Sequence, residues 1–243
     1  SKHYLEDPSD PNSLSDNEIW SLYSDSEGRL WIGSDSGIHL YAPDTDSFVN
    51  FTDEPFNLAE GSFRAIKEDM KGNVWFVGQS TGLVKFDVAT SKFLRISKKP
   101  EKENSISSSN LVDIAFNSKG VMFVATNKKG SEYSTDEGRT FSKLPTGSQE
   151  LPSKNLLSLF VDKQDRLWVG SEDVGAFVFD SNKFELLESF SLNNSSICSN
   201  NIKDITQDES GLFWFATNNG VCRLNQLTSL FDSFQNASSK SSS

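Results

Sequence analysis

An all-β fold, built from one four-stranded antiparallel unit repeated five times, is what this sequence predicts, and three observations carry the expectation. First, an aromatic residue inside a short apolar run recurs at Trp31, Trp75, Phe123, Trp168 and Trp214, a spacing of roughly 46 residues. Second, each anchor follows a turn word in which Asp or Asn precedes Gly by three positions: Asp25 to Gly28, Asp69 to Gly72, Asn117 to Gly120 and Asp208 to Gly211, with Asp162 to Asp165 as the variant. Third, aromatic residues make up 12% of the chain, Phe alone accounting for 19, while hydrophobic residues reach only 35%. That balance suits many short strands with polar connections and disfavours long buried helices.

Within one unit the elements follow in order. The first strand holds two apolar residues three apart: Ile19 and Leu22, Phe63 and Ile66, Leu111 and Ile114, Leu156 and Leu159, Ile202 and Ile205. The turn comes next. Its Asp or Asn can cap the turn amides, Gly takes the positive φ, and Asp165 is among the few residue types that tolerate that conformation in its place. The second strand carries the anchor. A polar loop ends in Gly37, Gly82, Gly130, Gly175 or Gly220, where the third strand starts. The fourth strand opens at Phe48, Phe93, Phe141 or Phe184, and less clearly near Phe231. Four such strands with one aromatic anchor describe a β-propeller blade. A single blade cannot bury both faces, whereas blades stacked around an axis can, so the anchors are expected in the inter-blade core.

The units divide the chain into 12–58, 59–106, 107–151, 152–197 and 198–236. Residues 1–11 read as the tail end of a preceding blade, because Lys2 to Pro8 resembles Phe48 to Pro55, and 237–243 reads as a disordered tail. The chain is therefore expected to be a window on a longer array of blades. Five blades that keep the curvature of a larger ring would expose apolar end faces and favour a homo-oligomer. An open or partner-completed arc is the expectation.

Composition excludes several functions. The net charge is −11, and the densest basic run, Lys98-Lys99-Pro100-Glu101-Lys102, is short and contains an acid, so no nucleic acid is expected as a partner. No apolar run is long enough to span a bilayer, so no membrane contact is expected of these residues. Of two histidines, His3 lies at the start and His39 in a third strand where other units carry Val84, Glu132, Phe177 and Cys222; both are expected to be structural, and neither a His-based catalytic triad nor a metal site is predicted. Acidic pairs such as Asp44/Asp46, Glu68/Asp69 and Glu172/Asp173 sit mostly in turns, where Asp serves the backbone. No EF-hand loop or phosphate-cradling Gly motif occurs, so no cofactor is expected. Cys198 and Cys222 both fall in the last unit; two unpaired thiols are the expectation, with a disulfide as the alternative.

The first strand lines the central channel of a propeller, which makes it the place to look for a site. Five residues before the turn Asp or Asn stand Trp20, Arg64, Val112, Leu157 and Lys203; four before it stand Ser21, Ala65, Asp113, Ser158 and Asp204. Positions that repeat do the same structural job in every blade, and positions that differ are free to serve a ligand. Trp20, Arg64 and Lys203 are therefore the candidate ligand-binding residues: an aromatic platform and two cations suit a sugar or an acidic saccharide.

The words Asp-x-x-Gly-x-Leu-Trp-Ile-Gly (Asp25 to Gly33), the Gly-Leu/Ile opening of the third strand, and Ser13-Leu14-Ser15-Asp16-Asn17 before the first resemble the two-component regulator propeller repeat. The resemblance runs from about Asn12 to Asn225, and it implies that the five blades are part of a larger, seven-bladed or tandem propeller. It implies the periplasmic sensor region of a bacterial membrane-spanning signalling protein, commonly a histidine kinase or hybrid, sometimes a diguanylate cyclase, in which carbohydrate sensing is common. The expected function is thus ligand sensing without catalysis in these residues, at an extracytoplasmic location in an inner-membrane protein. A protein-interaction propeller without a small ligand, and a propeller glycosidase or lyase, are the alternatives. The third unit also contains Ser134-Thr135-Asp136-Glu137-Gly138-Arg139-Thr140-Phe141, which resembles the Asp-box hairpin of sialidases. That resemblance implies a structural turn in which Asp136 accepts hydrogen bonds from turn amides.

Overall fold

The computed structural model describes residues 2–51, 58, 61–99, 101, 104–145 and 155–224. The described residues form strands and turns without a helix, so none contains a helix able to cross a membrane. Blade 1 comprises β1 (Ile19–Ser24), β2 (Leu30–Ser34), β3 (Gly37–Ala42) and β4 (Ser47–Asn50). Blade 2 comprises β5 (Phe63–Glu68), β6 (Val74–Gly78), β7 (Gly82–Asp87) and β8 (Lys92–Ile96). Blade 3 comprises β9 (Leu111–Phe116), β10 (Met122–Thr126), β11 (Gly130–Ser134) and the two-residue β12 (Ser142–Lys143). Blade 4 comprises β13 (Leu156–Val161), β14 (Arg166–Ser171), β15 (Ala176–Asp180) and β16 (Glu185–Phe190). Blade 5 shows β17 (Ile202–Gln207), β18 (Phe213–Thr217) and β19 (Gly220–Leu224); Phe231 and the tail lie outside the described residues. Every sheet is an antiparallel meander in chain order, the β-propeller blade that the repeat predicts.

The turn acid does more than cap. Asp162 Oδ1 accepts the amides of Gln164 and Arg166, both at 2.9 Å, while its Oδ2 accepts the anchor indole, Trp168 Nε1, at 2.8 Å. The same indole bond joins Trp31 to Asp25 and Trp75 to Asp69 at 2.7 Å, and Trp214 to Asp208 at 2.8 Å. Burial raises the Asp25 carboxyl, but the bonds from Trp31 and Arg29 outweigh it and leave the group below its ordinary value. Asp165 takes the glycine position with φ +62°.

Each anchor of blades 1 to 4 packs on the following blade. Trp31 meets Phe76, Phe86 and Phe93, Trp75 meets Phe116, and Trp168 meets Phe213 and Phe215. The paired apolar residues of each first strand are buried in blades 2 to 5, where a preceding blade covers them. In blade 1 nothing described covers them, and Leu22 is 67% exposed. At the opposite end Trp214 is 37% and Val221 68% exposed. Both end faces of the five-blade stack are thus bare among the described residues, and no apolar cluster joins blade 1 to blade 5. Tyr4 packs edge-on against Phe48 at 5.2 Å, as Phe51 packs on Phe93 at 4.9 Å, so the start of the chain sits on blade 1 as the end of blade 1 sits on blade 2.

Candidate ligand site at the inner strands

The inner strand of every blade carries a β-bulge at the same place. Register slips between Ile19 and Ser21, Phe63 and Ala65, Leu156 and Ser158, and Ile202 and Asp204, and β9 skips Val112 in the same way. The unpaired residues are Trp20, Arg64, Val112, Leu157 and Lys203. A bulge re-aims a side chain away from the two packed faces of a sheet. This is the physical reason why the chemically diverse position can be diverse: Trp20, Arg64, Leu157 and Lys203 belong to none of the apolar clusters among the described residues, and Val112 alone of the five packs against one.

Trp20 and Arg64 come together. The Arg64 guanidinium lies 3.9 Å from the centre of the Trp20 ring, a close cation–π contact. Trp20, 44% exposed, donates its indole N–H to Asp35 Oδ1 at 3.1 Å. Ser62 Oγ donates to the same oxygen, and the bonds from Ser62 and Trp20 hold the Asp35 carboxyl below its ordinary value. With the Gln79 amide oxygen turned towards it, Arg64 donates from Nε at 2.9 Å and from Nη2 at 3.3 Å. Lys203 stands apart. It is exposed on blade 5, and no described contact joins it to Trp20 or Arg64. Asp35, Ser62 and Gln79 are the residues that sequence reasoning missed. Asp35 and Gln79 occupy the first position after the second strand, and Asn127, Glu172 and Asn218 hold that position in blades 3, 4 and 5. A polar amide or carboxylate there in all five units was the available signal.

The next inner-strand position ties blades together. Ser21 Oγ donates to Phe63 O at 2.9 Å, and Ser158 Oγ lies 3.5 Å from Ile202 O. Asp113 Oδ2 accepts the Leu159 amide of blade 4 at 2.7 Å and its Oδ1 accepts the Ile114 amide at 2.8 Å. Desolvation raises the Asp113 carboxyl to about 6 against the effect of those amides and of Lys67, with Asp204 adding a further upward push.

The cysteines correct one expectation: Cys198 and Cys222 form a disulfide, with Cα atoms 5.8 Å apart. Position explains it. Cys222 occupies the third-strand place of Glu132 in blade 3 and His39 in blade 1, and each of these residues ties its strand to the loop leading into the blade. Glu132 Oε2 accepts the Ser107 amide at 2.9 Å, and Ser107 is the counterpart of Cys198. His39 works through Asn50, whose Nδ2 donates to Pro11 O at 3.0 Å and Ser13 O at 2.8 Å. Variability at that position concealed a shared task. His39 is fully buried: Nδ1 donates to Asn50 Oδ1 at 2.7 Å, and Nε2 accepts from Ser34 Oγ at 2.8 Å, so Ser34, His39 and Asn50 form a sealed structural network. In the Asp box, Asp136 accepts from Thr140 N at 2.9 Å and Thr140 Oγ1 at 2.7 Å, the turn role expected of it. No cluster of metal-ligating side chains occurs among the described residues.

These blades define a repeat propeller in which structural positions recur and a bulged inner position varies. Three stretches of the chain, residues 13–36, 150–173 and 196–219, match the family model described as two component regulator propeller. A curated relative, histidine kinase P4 of Formosa agariphila, is 23% identical over 208 residues, which cover 82% of this chain and 15% of the kinase. Among solved structures, the extracellular domain assigned to a hybrid two component system of B. thetaiotaomicron superposes with a TM-score of 0.70 at 20% identity, over 88% of this chain and 29% of that one. PorZ, a surface component of the type-IX secretion system of Porphyromonas gingivalis, superposes with a TM-score of 0.71 at 18% identity, over 92% of this chain and 34% of its own. Virginiamycin B lyase of Staphylococcus aureus shares the fold at 15% identity and a TM-score of 0.63. The chain thus spans well under two thirds of the kinase, the hybrid-system domain and PorZ.

Proposed function

We propose that this chain is an extracytoplasmic ligand-sensing region of a bacterial transmembrane signalling protein, and that it binds a small molecule such as a saccharide at the Trp20–Arg64 rim. The observation that carries the reading is the bulge, which takes a Trp and an Arg out of the blade cores and sets them together beside the Asp35 carboxylate. An exposed indole edge suits the apolar face of a sugar ring, and the guanidinium and carboxylate suit its hydroxyls. Similarity to a histidine kinase and to the extracellular domain of a hybrid system supports the signalling role. The Cys198–Cys222 disulfide supports an oxidising, extracytoplasmic compartment.

A non-catalytic role agrees with the inner carboxylates. Asp113 has its ordinary value raised towards that of a general acid, yet both oxygens are spent on backbone amides. The bare faces at Leu22 and at Trp214 favour a second reading, in which further blades or a protein partner cover the ends. A thermal-shift screen against a glycan panel, run on the wild type and on Trp20→Ala, separates the two. A saccharide that stabilises only the wild type supports the sensor. No shift with any glycan, together with recovery of a protein partner, transfers the role to the end faces.

A further inference from the structure

Away from the axis, a cavity of about 430 Å³ opens between the outer strands of blade 2 and the Asp-box hairpin of blade 3. Its volume falls in the range of small-molecule pockets. Two features build it. The fourth strand of blade 3 is only two residues long, because the Asp-box turn takes up the chain that would otherwise extend it. Gly138, at φ +78°, brings the hairpin down onto blade 2; a Cβ there would stand 3.0 Å from Ile96 Cδ1 and 3.6 Å from Trp75 Cη2. Buried Ile106 and Phe141 line the cavity.

Its charges run against those of the chain. Lys85, Arg95, Lys99 and Arg139 line the cavity against Asp87 and Glu137, an excess of cations in a protein of net charge −11. Lys85 is buried at a third-strand position where blades 1, 3 and 4 carry Leu40, Tyr133 and Val178. It lies over the Trp75 ring at 5.5 Å and reaches Glu137 at 3.5 Å and Asp87 at 3.6 Å, long for direct hydrogen bonds. Arg95 is exposed and fixed only through Nε, which donates to Thr81 O at 3.1 Å, so the outer edge of its guanidinium has no described partner. The Lys99 ammonium has none either. The carboxylates of Asp87 and Glu137 and the hydroxyls of Ser97 and Ser105 add acceptors for hydroxyl groups.

We propose that this cavity binds an acid sugar unit, its carboxylate or sulfate ester held by Arg95 and Lys99 and its hydroxyls by Asp87 and Glu137. The site is separate from the Trp20–Arg64 rim and stands or falls without it. The test is calorimetric titration of the protein with digalacturonate (the carboxylate arm), a sulfated chondroitin disaccharide (the sulfate arm) and neutral cellobiose. At least one acidic disaccharide binds saturably, cellobiose does not, and raising the salt weakens binding. The Arg95→Gln/Lys99→Gln double variant, altered only at exposed side chains, keeps its unfolding midpoint and loses at least tenfold in affinity, whereas Lys183→Gln, which removes an exposed blade 4 cation outside both sites, leaves that affinity unchanged. Saturable binding by neither acidic sugar, equal binding of cellobiose, or acidic-sugar binding that follows Trp20 rather than Arg95 and Lys99 overturns the proposal.

Discussion

Blades 3 and 4 perform the same turn with different chemistry. In blade 4 the buried carboxylate of Asp162 is balanced by the Trp168 indole and by Arg166, whose Nε donates at 2.8 Å and whose Nη2 lies 2.7 Å from Oδ2. In blade 3 the anchor is Phe123, which donates nothing, and position 121 is Val. A carboxylate there would bury an oxygen with no donor. The turn residue is Asn117 instead. Its Oδ1 still caps the amides of Lys119 at 3.0 Å and Val121 at 2.9 Å, while its Nδ2 donates to Ser181 Oγ at 3.0 Å and Ser181 O at 3.2 Å in the next blade. Turn acid and anchor are one device, and changing one member requires changing the other.

The largest expected effect is at the device in its buried form. Trp168→Ala removes the ring from the interface between blades 4 and 5 together with the indole donor, and is expected to cost about 4 kcal/mol in urea unfolding. Trp214→Ala makes the same change on a half-exposed end face and should cost less than half as much. Equal losses would mean that the anchors are not inter-blade core.

Next comes the strand-to-loop tie, which blade 5 makes covalently and blade 3 by one carboxylate–amide bond. The Cys198→Ser/Cys222→Ser variant, which opens a loop with a sequence separation of 24, is expected to lose about 3 kcal/mol. Glu132→Gln in blade 3 keeps an acceptor and should lose about 1 kcal/mol. A wild type whose unfolding midpoint ignores reductant would remove the disulfide from this comparison.

Smaller, but more diagnostic, is an exchange of chemistry between the blades. Asn117→Asp should cost about 2 kcal/mol, because the new carboxylate meets neither an indole nor an arginine. Adding Phe123→Trp and Val121→Arg transplants the blade 4 solution and should recover most of that loss. A triple variant no more stable than Asn117→Asp alone would show that the two residues are not coupled.

The repeat, the strand order and the turn chemistry were legible because they are local and recur five times. The bulge was legible only indirectly, as diversity at one position, since a register slip leaves no residue signature of its own. The pairing of Trp20 with Arg64 followed from adjacency of blades 1 and 2. Lys203 was grouped with them by equivalence of position, which says nothing of distance across the axis. The disulfide was hidden for the opposite reason: His39, Glu132 and Cys222 share a task but no chemistry, so comparison of the repeats read variety as freedom.

The His39 version of that tie should respond to pH where the Cys222 version does not. Burial lowers the His39 imidazole below its ordinary 6.5, against the Asn50 hydrogen bond and the field of Asp16, which raise it. Its partners agree with a neutral ring, one nitrogen donating to Asn50 and the other accepting from Ser34. Asp16, which accepts from Ser36 Oγ at 2.9 Å, supplies the nearby charge. The folded state therefore resists protonation while the unfolded chain takes up a proton as pH falls through about 6.5. Above that pH His39 adds no pH dependence. Below it the unfolded state binds more protons, and stability declines until the folded-state value is passed. Urea unfolding of the wild type and of His39→Gln between pH 8 and pH 5 isolates this contribution: the wild type should lose stability faster than the variant as the solution is acidified. Parallel curves would mean that the imidazole takes up its proton alike in the folded and unfolded states, so that burial does not depress it.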